Sequence, residues 1–338
     1  MERLRFGLLG TGYWALHTQG AALASSPYAR LDGVWGRHPD KAHDIAARLG
    51  TTAYEDLDEL LGRVDAVAIS LAPDAQATLA VRAARAGCHL LLDKPLALEL
   101  GPAQAVVDAV EETGVAALVF FTDRFRPEVE RWTEQAAQAG PWHSAHLLKY
   151  ANIDQPGNPF GASPWRRERG ALWDIGPHAL AALLPIMGEV TSVAAQRGPA
   201  GSDTVHLVLR HAPGPPGSPL PGTPGGTSTA SLSLTMPSPA ITNRLLLYGE
   251  NGTWERPREG APSEEGQRRG DAPLPEGRFG SADVMLATVA ELAALVAEGR
   301  RAHRCDVRFA LEVTRVLAGA EAALGLPAIE LAEVGPRP

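Results

Sequence analysis

Three groups of residues in this chain have the types and spacing to do chemistry. Gly10-Thr11-Gly12-Tyr13-Trp14-Ala15 fits the pattern G-x-G-x-x-G/A, with Ala15 in the third place. In that pattern Gly10 permits a tight turn, Gly12 lets backbone approach a pyrophosphate, and Ala15 keeps the next helix close to its strand. A helix starting there offers free N–H groups and a positive dipole end to phosphates. The second group is Asp93-Lys94-Pro95. Proline restricts the residue before it, and a crowded ammonium can polarise a hydroxyl. The third is Asp174 and His178, four residues apart. On a helix they share a face, and Pro177 is tolerated there in a first turn. A carboxylate beside an imidazole can orient a ligand and raise the basicity of the ring. Taken singly, each group also has a plain structural reading: a glycine turn, a surface lysine at a strand end, a helix cap beside a core histidine.

The elements that must position these residues follow from the hydrophobic rhythm. Apolar runs at 4–9, 31–35, 64–71, 89–92 and 115–121 read as buried strands, with a short extended piece at 51–54. They alternate with helical stretches at 13–25, 40–49, 75–86 and 102–112. Continuous apolar strands imply a sheet covered on both faces, and the alternation implies right-handed crossovers. The glycine turn then follows the first strand and Lys94 ends a later one, on the edge where ligands bind in such sheets. After Asp123 the rhythm changes. A helix at 128–139 precedes strands at 143–151, 190–197, 203–211, 228–236 and 242–249, and helices at 283–298 and 307–324 close the chain. The fold class expected is α/β: an N-terminal doubly wound Rossmann sheet over 1–122, then an α+β domain over 123–338 with a large, open, mostly antiparallel sheet. Segments 213–226 and 255–280 are rich in Pro and Gly and read as surface insertions.

Composition narrows the function classes. The 338 residues are 45% hydrophobic and 21% charged, which excludes global disorder. A net charge of −8 gives no footprint for nucleic acid. No uninterrupted apolar run reaches the ~18 residues of a membrane helix, so no membrane partner is expected. Cys88 and Cys305 form no CxxC pair, so neither a disulfide framework nor a metal site is expected, and a cytoplasmic location fits.

The end of the second strand bears on which dinucleotide fits the glycine turn. An NAD site places Asp or Glu there for the ribose 2′-hydroxyl. Here the residues are Trp35-Gly36-Arg37-His38, and Asp32 comes too early. Gly36 makes room, and Arg37 can pair with a 2′-phosphate through a charge-assisted fork. NADP(H) is therefore favoured over NAD(H).

In order and spacing, Gly10-x-Gly12-x-x-Ala15, Asp93-Lys94-Pro95 and Asp174-x-Gly176-x-His178 together resemble the Gfo/Idh/MocA oxidoreductase family. The resemblance extends to Val64-Asp65-Ala66-Val67, Arg124-Phe125-Arg126-Pro127 and Trp165-Arg166. It implies Lys94, Asp174 and His178 as catalytic residues in hydride transfer between a nicotinamide and a secondary alcohol or ketone of a sugar, cyclitol or related polyol. It implies cofactor contacts from Gly10, Thr11, Gly12, Tyr13, Trp14, Gly36, Arg37, His38, Leu71, Pro73, Asp93, Lys94 and Pro95. Arg124, Tyr150, Trp165 and Arg166 fall in segments near the cleft and are further substrate candidates, although Arg and aromatics there also serve packing. A homodimer or homotetramer through the open sheet face is a further implication. Alternatives on the same fold are an NDP-sugar ketoreductase, a dihydrodiol dehydrogenase and a non-catalytic NADP-binding regulator. The chain departs from the family pattern in three places. Asp93 stands where Glu is usual, Pro73-Asp74-Ala75-Gln76-Ala77 lacks a histidine, and Arg169-Gly170-Ala171-Leu172 keeps one glycine.

Overall fold

The computed structural model describes residues 3–212, 227–256 and 281–326. The expected insertion at 213–226, and 257–280 of the second, lie outside the described residues.

Six apolar segments form the first sheet: β1 (Leu4–Leu9), β2 (Ala29–Trp35), β3 (Thr52–Tyr54), β4 (Ala66–Ile69), β5 (His89–Asp93) and β6 (Ala117–Phe120). All neighbours are parallel, in the order β3-β2-β1-β4-β5-β6. Every residue of β4 and β6 is buried, as strands covered on both faces require. Between them run α1 (Ala21–Ser25, continuing a π-helical stretch Ala15–Gly20), α2 (Pro39–Leu49), α3 (Leu57–Leu61), α4 (Pro73–Arg85) and α5 (Leu100–Thr113). Strand order reverses between β1 and β4, so the glycine turn after β1 sits at the switch point where such sheets bind ligands.

A 3₁₀ turn, Thr122–Phe125, leads to α6 (Pro127–Ala139), β7 (Trp142–Asn152), α7 (Pro164–Asp174) and α8 (Gly176–Met187). Then come β8 (Val190–Arg197), β9 (Val205–His211), β10 (Thr229–Thr235), β11 (Pro237–Gly249), β12 (Gly252–Glu255), α9 (Ala282–Ala297) and α10 (Val307–Leu324). The second sheet has the order β12-β11-β7-β10-β9-β8, and only β7 with β10 is parallel. In β9, Val205, Leu207 and Leu209 are buried while His206, Val208 and Arg210 face outward, the period-two signature of a sheet with one open face. Helices α8 and α10 cover the other face. Helix α9 packs on α1 and β6, and Cys305 O accepts from Val119 N–H at 2.8 Å, so the closing helices also touch the first sheet.

Four elements escape the sequence reading: α3, α7, α8 and β12. Helices α7 and α8 carry Gly170, Gly176, Pro177 and Pro185, which obscure a helical pattern. Strand β12 includes Glu255, assigned above to a Pro/Gly-rich insertion; Glu255 instead pairs with Leu246 of β11, and Arg256 beside it is buried. The 24-residue stretch Pro164–Met187 also has the length and apolarity of a membrane span. It breaks at Gly170 (φ 63°, ψ −161°) and its apolar window is 72% buried inside the fold, as a core helix pair would be.

Candidate active site

The glycine turn is built to let something approach. Gly10 adopts φ 138°, and a Cβ there would strike the carbonyl oxygen of Ser70. A Cβ on Gly12 would meet nothing within 4 Å, so its backbone faces open space. A cavity of about 580 Å³ opens beside it, lined by Thr11, Gly12, Tyr13 and His17 and, from α2, by Asp40, Lys41, Asp44 and Arg48. Gly36 packs on Thr11, where a Cβ would come within 2.6 Å of the threonine methyl. Arg37 and His38 are exposed just beyond, and Arg37 has no ion-pair partner among the described residues. Leu71 and Pro73 follow β4, half-buried and buried respectively. Tyr13 packs on His17 (4.3 Å between ring centres) and on Phe160 (6.0 Å), and Trp14 lies beside the same Phe160 (5.8 Å). Open backbone at a strand–helix turn, with a cationic side chain past the next strand, fits a dinucleotide.

The second and third motifs meet. Lys94 Nζ donates to Asp174 Oδ1 at 2.8 Å and to the Asp174 carbonyl at 2.6 Å, and both side chains are nearly buried. Arg166 Nε donates to the same Oδ1 at 3.1 Å, and its guanidinium stacks on Trp165 (4.6 Å) and Phe160 (4.7 Å). Burial alone would raise the Asp174 carboxyl, but Lys94 and Arg166 outweigh it and hold it at about 2. Asp93 differs. Burial dominates there and pushes its carboxyl up to about 6, although Oδ1 accepts from Lys94 N–H at 2.8 Å.

Asp174 ends α7 and His178 is the third residue of α8, with Pro177 in the first turn. The entry angle is set at Gly170, whose positive φ no other residue adopts cheaply. A Cβ there would collide with Asp203, whose two carboxylate oxygens accept from Ala171 N–H at 3.0 and 3.1 Å. His178 is half-buried, and its ring has no hydrogen-bond partner among the described residues. Burial, then Lys94, then Lys149 push it well below its ordinary 6.5, against the pull of Asp123 and Asp174. The imidazole is therefore neutral at pH 7, beside a fixed ammonium: an acceptor for a proton next to a donor for an oxygen.

Four residues of this neighbourhood were not found from the motifs. Asp123 Oδ2 lies 3.6 Å from Lys149 Nζ on β7 and 3.3 Å from the Arg256 guanidinium. Burial would raise the Asp123 carboxyl, but Lys149, Arg256 and His178 hold it far below the usual range. The fourth is Gln76, 1% exposed. Its Oε1 accepts from Asp93 N–H at 2.8 Å, and its Nε2 donates to the carbonyls of Asp93 (2.7 Å), Pro95 (3.1 Å) and Leu96 (3.4 Å). The segment that lacks a histidine thus supplies an amide that clasps the chain on both sides of Lys94.

Two of the substrate candidates stand elsewhere. Arg124 is buried, forms a two-pronged pair with Glu130 (2.7 and 2.8 Å) and donates to Ala181 O, a packing arrangement. Tyr150 follows Lys149 on β7, and successive strand residues point to opposite faces. Lys149 faces the core side with Leu147, so Tyr150 lies on the open face with His146 and Leu148.

Comparisons with known proteins identify the family. An inositol 2-dehydrogenase from Rhizobium meliloti is 29% identical over 62% of this chain and 66% of its own length. A UDP-N-acetylglucosamine 3-dehydrogenase from Acidithiobacillus ferrooxidans is 30% identical over 42% of this chain and 44% of its own. The chain spans about half the length of the curated relatives it matches. The solved structure of a levoglucosan dehydrogenase with NADH and levoglucosan superposes with a TM-score of 0.74 at 19% identity, over 95% of this chain and 97% of that one, a likeness of fold. Residues 4–121 match the family model described as an oxidoreductase family with an NAD-binding Rossmann fold, and residues 148–255 match the C-terminal domain of the same family. With matched segments covering more than half its length and the motifs assembled in space, the chain belongs to the Gfo/Idh/MocA oxidoreductase family.

Proposed function

We propose that this protein is an NADP(H)-preferring oxidoreductase that interconverts a secondary alcohol and its ketone on a sugar, cyclitol or related polyol. The observation that carries this reading is the Lys94–Asp174 pair at 2.8 Å beside a neutral His178. A bound nicotinamide supplies or accepts the hydride. Residues 1–122 serve as the cofactor-binding unit, with Gly10, Gly12 and the helix start toward the pyrophosphate and Arg37 toward a 2′-phosphate. Residues 123–338 serve the substrate and subunit contacts.

Lys94, fixed by Asp174 and Arg166, donates to the substrate oxygen and stabilises alkoxide charge as it develops. Asp174 acts by orienting that ammonium. His178 takes the hydroxyl proton in oxidation and returns it in reduction. Its depressed basicity keeps it in the accepting form at and below neutral pH. The inositol and amino-sugar dehydrogenases among its relatives support a polyhydroxylated substrate. The alternatives on the same fold are an NDP-sugar ketoreductase and a dihydrodiol dehydrogenase. Outward-facing Val208 and Tyr248 on the open sheet support a homodimer or homotetramer. Two buried thiols, Cys88 and Cys305, support a reducing, cytoplasmic setting.

The test is a fluorescence titration with NADPH and NADH, followed by a polyol and ketose panel with the preferred cofactor. Tighter NADPH binding and turnover on at least one polyol are expected. Tighter NADH binding would overturn the Arg37 argument. Tight binding without turnover on any polyol, ketose, nucleotide sugar or dihydrodiol would instead indicate a non-catalytic regulator.

A further inference from the structure

The chain contains 28 arginines and three lysines: Lys41, Lys94 and Lys149. Lys41 is exposed on α2. The other two, in a protein that otherwise uses arginine for positive charge, are nearly buried and act on one histidine from two sheets. Lys94 comes from the end of β5, and Lys149 from the middle of β7. Each is paired with an aspartate, Lys94 with Asp174 at 2.8 Å and Lys149 with Asp123 at 3.6 Å. Each aspartate in turn holds an arginine, Arg166 and Arg256. Helix α8, which carries His178, packs against both β7 and the 3₁₀ turn, so the Lys149–Asp123 pair stands on the elements that flank it, as the Lys94–Asp174 pair stands at the helix start. A lysine suits such a place because its charge is compact and its stem unbranched, whereas a guanidinium is broad and planar.

We propose that Lys149 is a positioning residue for His178: with Asp123 it supplies a second, adjustable charge pair that keeps the imidazole ready to receive a proton. This rests on the reading of His178 as the proton-transfer group. The charged groups facing that imidazole are Lys94 from β5, Asp174 from α7, Asp123 from the 3₁₀ turn and Lys149 from β7. Arg256 and Arg166 act through the two aspartates. Removing Lys149 takes away a positive charge and leaves Asp123, so protonated His178 is favoured and its titration moves up. Removing the Asp123 charge leaves the lysine, so the titration moves down. A residue with a merely structural role would not give opposite signs for the two partners of one pair.

The experiment is a ¹³C-histidine NMR titration of the full chain, with the His178 signal assigned by its loss in His178→Gln. Wild type is compared with Lys149→Met, Lys149→Arg and Asp123→Asn. The expected result is an upward move toward 6.5 in Lys149→Met, a wild-type midpoint in Lys149→Arg, and a downward move in Asp123→Asn. In turnover, Lys149→Met then loses oxidation kcat/KM at pH 6, by no more than about fourfold because burial and Lys94 still hold His178 below its ordinary 6.5, and loses little at pH 8. Equal midpoints in wild type and Lys149→Met, both folded by thermal melt, would overturn the proposal. If Lys149→Met fails to fold, an unmoved or upward midpoint in Asp123→Asn would overturn it instead. Opposite NMR shifts in a protein with no polyol turnover would keep the charge pair and reject the function.

Discussion

Asp93, at the end of β5, and Asp174, at the end of α7, both hold Lys94 and titrate in opposite directions. Asp174, with its carboxyl at about 2, contributes stability that is present above the usual carboxylate range and is lost as pH falls through that value. The Lys94–Asp174 pair therefore survives ordinary acid assay conditions. Asp93, raised to about 6, favours folding when protonated, and that contribution is lost as pH rises through 6. Asp93→Asn keeps an oxygen for the Lys94 N–H and removes the buried charge. Its melting temperature is expected to exceed wild type at pH 8 and to match it at pH 4, measured by calorimetry. An equal or lower value at pH 8 would contradict the burial argument. At the cofactor end, Arg37→Ala is expected to weaken NADPH about tenfold or more and to leave NADH within about twofold, read by fluorescence titration. Equal losses for both would show that Arg37 does not meet a 2′-phosphate.

Elements explain why some of the site was legible and some was not. Strands β1 and β5 and the turns after them announce themselves, because buried parallel strands are continuous apolar runs and their glycine and proline punctuation is local. That was enough to set Gly10, Gly12 and Lys94 on one sheet edge. The α7–α8 junction was legible only as a spacing of four between Asp174 and His178. Its kink depends on Asp203, a residue more than thirty positions away that caps Ala171 N–H. Asp123, Lys149, Arg256 and Gln76 come from four separate segments of the chain and no local pattern joins them. Only the scarcity of lysine marked Lys149. Gln76 shows the cost of such a contact. Its amide is a partner for Asp93 N–H and for three carbonyls around Lys94, in a loop where Pro95 has no N–H of its own. Gln76→Leu is expected to lose about 2–4 kcal/mol in urea unfolding, the cost of several buried polar groups left without partners. A loss below about 0.5 kcal/mol would mean that water replaces the amide.

At the scale of the whole molecule, the two sheets contribute to one site because α7 and α8 carry Asp174 and His178 from the second sheet to the edge of the first. The opposite face of the second sheet is left uncovered among the described residues, with Val208 55% exposed. If that face joins subunits, Val208→Glu combined with Tyr248→Glu should lower the mass measured by light scattering to that of one chain. An unchanged mass would place the contact elsewhere. In the proposed reaction Lys94 and His178 handle the substrate oxygen and its proton. The most direct measurement is the single-turnover rate of NADPH oxidation with a ketone substrate, in wild type, Lys94→Met and His178→Gln, with NADPH affinity measured separately. Rates lower by about 10²–10⁴ are expected in both variants, with NADPH affinity within a few-fold of wild type. Single-turnover rates equal to wild type in either variant would contradict this assignment.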